Sequence, residues 1–228
     1  VAVAVGVVFL GVRNGSIHLN QEDLIRLGVL FPSVILHEVS HGWIALVFGD
    51  DTAKRAGRLT LNPIAHVDPF GTVILPALLI FTTGSAFGYA RPVPVSPSRM
   101  RSPRNHGLLT SLGGPAVNIA LALISAMLIR FVLIDQFNVG LDHAPILARI
   151  VFEAGYVNVI LAAFNLIPIP PLDGSAVVER LLPARLWPGY LRFRQYSMLL
   201  LFALIFWSGG ALSRVFNPAL DFWFHLLR

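Results

Sequence analysis

The chain has no cysteine, a single lysine and few charges of either sign, and each shortage excludes something. Without cysteine there can be no disulfide and no thiolate zinc site, so any bound metal must be held by His, Asp or Glu. Charged residues make up 13% of the 228 and hydrophobic residues 55%, with a mean hydropathy of +0.71. That composition belongs to an integral membrane protein, not to an ordinary soluble domain. No hydrophilic stretch is long enough for an extramembrane domain, so a PDZ-like or nucleotide-binding insert is not expected. The formal charge of +5 is nearly all arginine, since Lys54 is the one lysine, and the arginines are spread among loops. Such a distribution orients a chain in a bilayer and does not suit a nucleic-acid surface.

Against this background one segment stands out. Leu27 to Phe48 is apolar along nearly its whole length, yet its middle reads His37-Glu38-Val39-Ser40-His41. H-E-x-x-H sets two imidazoles one helical turn apart on the same face, with a carboxylate beside them for general-base work on a zinc-activated water. A soluble zinc-protease helix would carry polar residues on its other face, whereas Leu30, Val34, Ile35, Leu36, Val39, Ile44 and Leu46 surround this motif. The helix is therefore expected to span a membrane with its polar atoms turned inward, where ionisable residues are costly and usually functional.

Elsewhere the expected class is an all-α polytopic membrane protein of roughly four to six transmembrane or re-entrant helices, with a short membrane-associated strand or hairpin. One domain covers 1–228, with a core over 24–183. Residues 1–12 are expected to be a truncated first helix or an interfacial segment, and 190–228 to hold a last span and tail. Asp68-Pro69 resembles a helix start, with an N-cap and proline at the first position. The apolar run from Gly71 to Phe81 is short and interrupted by Pro76. Gly88 to Val95 has alternating prolines and suits an extended edge strand. Long spans are expected over Leu108 to Ile134 and Ile146 to Ile167, and another begins at Tyr196. Arginine asymmetry makes segments 54–58, 91–104 and 180–194 cytoplasmic and the acidic loop 135–145 external. Residues 70–87 then have cytoplasmic segments on both sides and are expected to re-enter instead of crossing.

A zinc hydrolase needs three protein ligands and an open position for water. Beyond His37 and His41 the candidates are Asp50, Asp51, His66, Asp68, Asp135, Asp142, Asp173 and Glu179. Asp173 is favoured because Pro168, Pro170 and Pro171 break the preceding apolar helix, and irregular backbone at membrane depth is tolerated only where it is buried in protein or lines a cavity. His66 and Asp68 are read as capping and local hydrogen-bonding groups in preference to a second metal site.

Taken together, HEVSH at 37–41, Gly113-Gly-Pro-Ala-Val-Asn118 and Asn165-Leu-Ile-Pro-Ile-Pro-Pro-Leu-Asp-Gly174 identify a resemblance that covers most of the chain. It resembles the site-2 proteases, zinc metalloproteases that cut within the membrane, and looks most like the small prokaryotic members without a PDZ domain. Asp51 stands where such proteins more often have proline. The resemblance implies one zinc ion bound by His37, His41 and Asp173, with Glu38 as catalytic base. It implies a prokaryotic cell membrane as location and a single-span membrane protein or signal-peptide remnant as substrate. It also implies a strand that pairs with unwound substrate, a place that Gly88 to Val95 fits. Asn118 and Asn165 are candidates for an oxyanion donor or for anchoring substrate backbone, although Gly114-x-x-x-Asn118 is equally a helix-packing pattern. Competing readings are a membrane metal transporter and a catalytically inactive scaffold of the same fold. A general base beside a ligand argues against the first, and the intact motif against the second.

Overall fold

Three long helices form the centre of the molecule. A computed structural model describes residues 5–8, 12–13, 16–17, 21–74, 86–89, 91–137, 143–207 and 210–228. Helix α1 (Gln21–Val47), α3 (Pro103–Leu128) and α4 (Ile146–Asn165) pack on one another. The 27 residues of α1 extend about 40 Å at 1.5 Å per residue, more than the ~30 Å of a bilayer core. Among the described residues three helical stretches are long and apolar enough to cross a membrane: Leu24–Val47, Pro103–Leu133 and Ile146–Asn165. The wider count of four to six is not reached by that measure. Large apolar residues that stand exposed on these helices, such as Phe131, Met127 and Leu147, would face lipid.

Short elements complete the chain. A single helical turn, α2 (Thr52–Arg55), follows α1, and α5 (Ser175–Leu181) follows the proline-broken segment after α4. Two further helices, α6 (Trp187–Trp207) and α7 (Ala211–Leu227), end it. Helix α7 docks on α3 and α4 through Trp223, which is buried and donates from its indole Nε1 to the Ala122 carbonyl at 2.9 Å. Asp68 caps as its position before Pro69 suggests, its Oδ1 accepting from the Gly71 amide at 2.7 Å, and the turn Pro69–Ile74 follows. His66 donates from Nε2 to the Thr60 carbonyl at 2.8 Å, a local contact within its own loop. The expected re-entrant hairpin over 70–87 falls mostly outside the described residues, as do Asp142 and most of residues 1–12.

The segment expected as one extended strand over Gly88 to Val95 is corrected. A strand β4 (Ala86–Tyr89) pairs antiparallel with β1 (Val5–Val8), and two-residue strands β2 (Val12–Arg13) and β3 (Ser16–Ile17) pair with each other. Residues 91–96 have no regular structure. Prolines 92 and 94 remove two ladder donors, and three of the remaining amides are claimed elsewhere. Arg91 donates to the His66 carbonyl at 2.9 Å, Val93 to Glu38 Oε2 at 2.8 Å and Ser96 to Asp50 Oδ2 at 2.5 Å. The segment is thereby tied down across α1.

At the far end of the bundle, α1 and α4 are joined by a two-pronged ion pair. Arg26 donates from Nε and Nη2 to the two oxygens of Glu153 at 2.9 and 3.1 Å, and its guanidinium lies 5.8 Å from the Tyr156 ring centroid. Glu153 is buried, so removing its partner strands a charge in low dielectric. Arg26→Ala is expected to lower stability in detergent by about 2–3 kcal/mol, somewhat below the usual loss for a fully buried pair because Arg26 is partly exposed. Denaturant or thermal unfolding checks this against the exposed Arg130→Ala, which should change little.

Candidate metal centre

His37 and His41 lie ten and six residues before the end of α1, which places them about 15 and 9 Å from that end along the axis. The same end of the bundle carries Arg55, Arg99, Arg101, Arg104, Arg180 and Arg194, and the Arg101 amide bonds to the Phe48 carbonyl at 3.2 Å. The imidazoles therefore lie below this arginine-rich end, within the apolar length of α1.

Asp173 reaches them from the proline-broken segment. Its Oδ2 lies 3.0 Å from His37 Nε2 and 3.4 Å from His41 Nε2, and all three side chains are buried. The segment is closed by the Gly174 amide donating to the Asn165 carbonyl at 2.7 Å. A β-carbon at Gly174 would collide with the Leu166 backbone and stand 2.7 Å from the Ile167 carbonyl oxygen, so glycine is required for that closure.

The tautomers are set from behind. His37 Nδ1–H donates to Asn118 Oδ1 at 2.5 Å, and His41 Nδ1–H donates to the Thr110 carbonyl at 2.7 Å. Because a carbonyl can only accept, both rings keep their Nε2 lone pairs directed at the shared space. Neither Nε2 nor either oxygen of Asp173 has a hydrogen-bond partner. Buried acceptors facing one another repel unless a cation stands between them. Two imidazoles and a carboxylate, without thiolate, make a donor set that zinc accepts. Ligand distances of about 2.0–2.2 Å place tetrahedral ligand atoms roughly 3.3–3.6 Å apart, close to the separations found here. His37, His41 and Asp173 are the one group among the described residues positioned to hold a metal ion, so Asp50, Asp51, His66, Asp68, Asp135 and Glu179 are not brought to it.

Glu38 is buried beside this group and accepts from the Val93 amide. Asn118 is fully buried, with Oδ1 on His37 and Nδ2 donating to Asn158 Oδ1 at 2.7 Å. The chain continues from Asn158 Nδ2 to Ser33 Oγ at 2.9 Å, and from Ser33 to the Val29 carbonyl at 2.9 Å. Asn165 is also buried. Its Nδ2 donates to the Leu161 carbonyl at 2.9 Å, while its Oδ1 has no hydrogen-bond partner.

Sequence reasoning missed Asn158, Ser33, Thr110 and Val93. Asn158 carried a signal, being a polar residue in an apolar helix seven residues before Asn165 and thus on the same face. Thr110 and Val93 act through backbone atoms, which no side-chain pattern reveals.

Close approach of α3 to the imidazoles depends on Gly114. A β-carbon there would overlap the His37 ring and stand 2.6 Å from His41 Nε2. Gly114→Ala is expected to abolish stoichiometric zinc binding while leaving helical content intact, as metal analysis and circular dichroism of the purified protein would register. Asn118→Ala should retain the site but weaken zinc by about 10–100-fold, the usual cost of losing a group that orients a ligating histidine.

Asp50 anchors the segment that carries Val93. Burial pushes its carboxyl up, but hydrogen bonds from Thr52 and Ser96 outweigh that and hold it below the ordinary aspartate range. A lowered folded value means that this stabilisation is complete above about pH 4 and is lost as pH falls through the folded value. Asp50→Asn should lower stability at neutral pH and flatten its decline between about pH 5 and 3, measured as the unfolding midpoint across that range.

Comparison with known proteins agrees with this geometry. The profile described as Peptidase family M50 matches residues 137–208. YwhC of Bacillus subtilis, assigned by name to the zinc metalloproteases, is 42% identical over 162 residues, covering 68% of this chain and 67% of that one. Rip2 of Mycobacterium tuberculosis, assigned likewise, is 32% identical over 192 residues, covering 84% and 66%. The zinc metalloprotease MJ0392 of Methanocaldococcus jannaschii is 23% identical over 186 residues, covering 82% of this chain and 41% of that one. The chain thus spans about two thirds of the length of the first two relatives. No solved structure gives a significant match. With the zinc-type donor set buried among helices able to cross a bilayer, and with these relatives, the chain belongs to peptidase family M50, the site-2 protease family of membrane zinc metalloproteases.

Proposed function

We propose that the protein is a zinc-dependent endopeptidase that hydrolyses peptide bonds within or near the transmembrane segments of single-span membrane proteins or signal-peptide remnants. The observation that carries this reading is the meeting of His37, His41 and Asp173, with Glu38 beside them, below the end of a membrane-length helix. A site at that depth is of use to a substrate that is itself in the membrane.

His37, His41 and Asp173 hold the metal, and bound zinc supplies Lewis acidity toward a water and a scissile carbonyl. Glu38 takes the proton from the attacking water on its carboxylate and delivers it to the leaving amine. The Val93 amide, on Glu38 Oε2, keeps that carboxylate oriented without neutralising it. Asn118 is assigned to positioning, because its Oδ1 is engaged by His37 and its Nδ2 donates to Asn158. Asn165 is assigned to substrate contact, its buried Oδ1 being able to accept from a substrate amide. The substrate must unwind locally, since the amides and carbonyls of an intact helix are bonded internally and a protease cannot reach them. Segments with Gly, Pro or Asn near the cut are therefore preferred.

A metal carrier would have to release its ion, whereas both imidazoles are held from behind in the ligating tautomer. The test uses purified protein with tagged single-span substrates in bicelles. Glu38→Gln should lower turnover by at least about 10³-fold while zinc content stays at one per chain, since the base is lost and the ligands are not. Chelation should abolish cleavage and zinc should restore it. Zinc-loaded protein that leaves every apolar segment intact would overturn the reading.

A further inference from the structure

We propose that a basic-mouthed cavity leading to the metal centre receives the cytoplasmic flank of the substrate and selects acidic or neutral flanks over basic ones. This rests on the protease reading above and adds the substrate class. A cavity of about 420 Å³ has buried His41 and Thr110 among its walls, while Arg104, Arg180, Arg194 and Glu179 line its more exposed part. Its size is within the range of a ligand pocket and accommodates a short stretch of polypeptide.

The charges at the mouth are unbalanced. Three guanidiniums stand against one carboxylate, and that carboxylate is occupied: Glu179 Oε1 accepts from Arg194 at 3.3 Å and from the Tyr190 hydroxyl at 3.0 Å. Arg104 bonds to the neutral carbonyls of Arg180 and Leu182 at 3.4 and 3.2 Å, and Arg180 bonds to Asn105 Oδ1 at 2.7 Å. Those contacts orient both guanidiniums and leave their charge uncompensated. A concave opening with low-dielectric walls concentrates the field of such charges.

Physical selection follows from which flank meets this mouth. Membrane proteins as a class carry Lys and Arg on the cytoplasmic side of their spans. Such a flank, drawn toward Arg104 and Arg180, meets like charge, whereas Asp or Glu meets a partner. Repulsion is an effective route to specificity because it acts on the large pool of wrong partners. Most of the cell's spans would thus be refused at the opening, and the chosen substrates would be those with an acidic or uncharged cytoplasmic flank. A polypeptide is favoured over an anionic lipid headgroup because the cavity continues inward to His41, beyond where a headgroup at the rim needs to reach.

The experiment compares two substrates with one apolar segment and either a glutamate-rich or a lysine-rich cytoplasmic flank, in zwitterionic bicelles with zinc-loaded wild-type protein. The expected kcat/KM ratio is at least about tenfold in favour of the acidic flank, as expected for like-charge repulsion at a restricted opening. Arg180→Glu, with Arg104→Gln as a second variant, should shrink or reverse that ratio while zinc content stays unchanged. Equal cleavage of both substrates by the wild type, or a ratio unmoved in both variants, overturns the proposal while the protease stands. A preference that appears only when anionic lipid is present overturns it in favour of a lipid site. If neither substrate is cut by zinc-loaded protein, the protease reading fails and the proposal fails with it.

Discussion

Everything in this molecule is arranged around three buried acceptors that face one another. In an apolar layer such a grouping is unfavourable in isolation, and two features make it sustainable: hydrogen bonds that fix the rings from behind, and a geometry that welcomes a cation in front. The backing groups come from α3, as Asn118 and the Thr110 carbonyl, so the site exists only where α1 and α3 approach closely. Small residues at 113 and 114 make that approach feasible. Helix α4 then supplies Asn158 behind and, through its broken end, Asp173 in front. Fold and site are therefore one constraint, since the helix contacts that hold the bundle together also hold the imidazoles.

Much of this was readable from residue order alone. H-E-x-x-H in an apolar run announced both the ligands and the membrane, because period and burial cost act on the same few side chains. Prolines 168, 170 and 171 marked where a helix must end, and the aspartate that follows them is the one brought to the imidazoles. The C-terminal helix limits were close for α1 and α4, whose apolar runs end at clear breakers, Gly49-Asp50 and Pro168, whereas α1 begins six residues before the expected Leu27.

What was illegible shares a physical character. Gly88 to Val95 looked like an extended edge strand, and alternating proline is indeed incompatible with a helix, but sequence gives no account of where the surviving amides of 91–96 go. Two go to carboxylates, Glu38 and Asp50, and one to a carbonyl, so no strand forms there. Asn118 could be read either as a substrate or oxyanion contact or as a helix-packing amide. That its partners are His37 and Asn158 is a matter of helix rotation, which apolar patterning in lipid-exposed helices leaves weakly specified.

The tethered segment has a consequence for how a reaction cycle would be organised. Prolines 92, 94 and 97 restrict the chain before it folds, so little conformational entropy remains to be lost when residues 91–96 settle across α1. The Glu38 carboxylate is then oriented as part of folding, and no arriving polypeptide has to do that work. In the proposed cycle a centre preorganised to this degree would not tell one peptide bond from another by induced assembly; discrimination would fall to the unwinding of the guest and to the passage that leads inward.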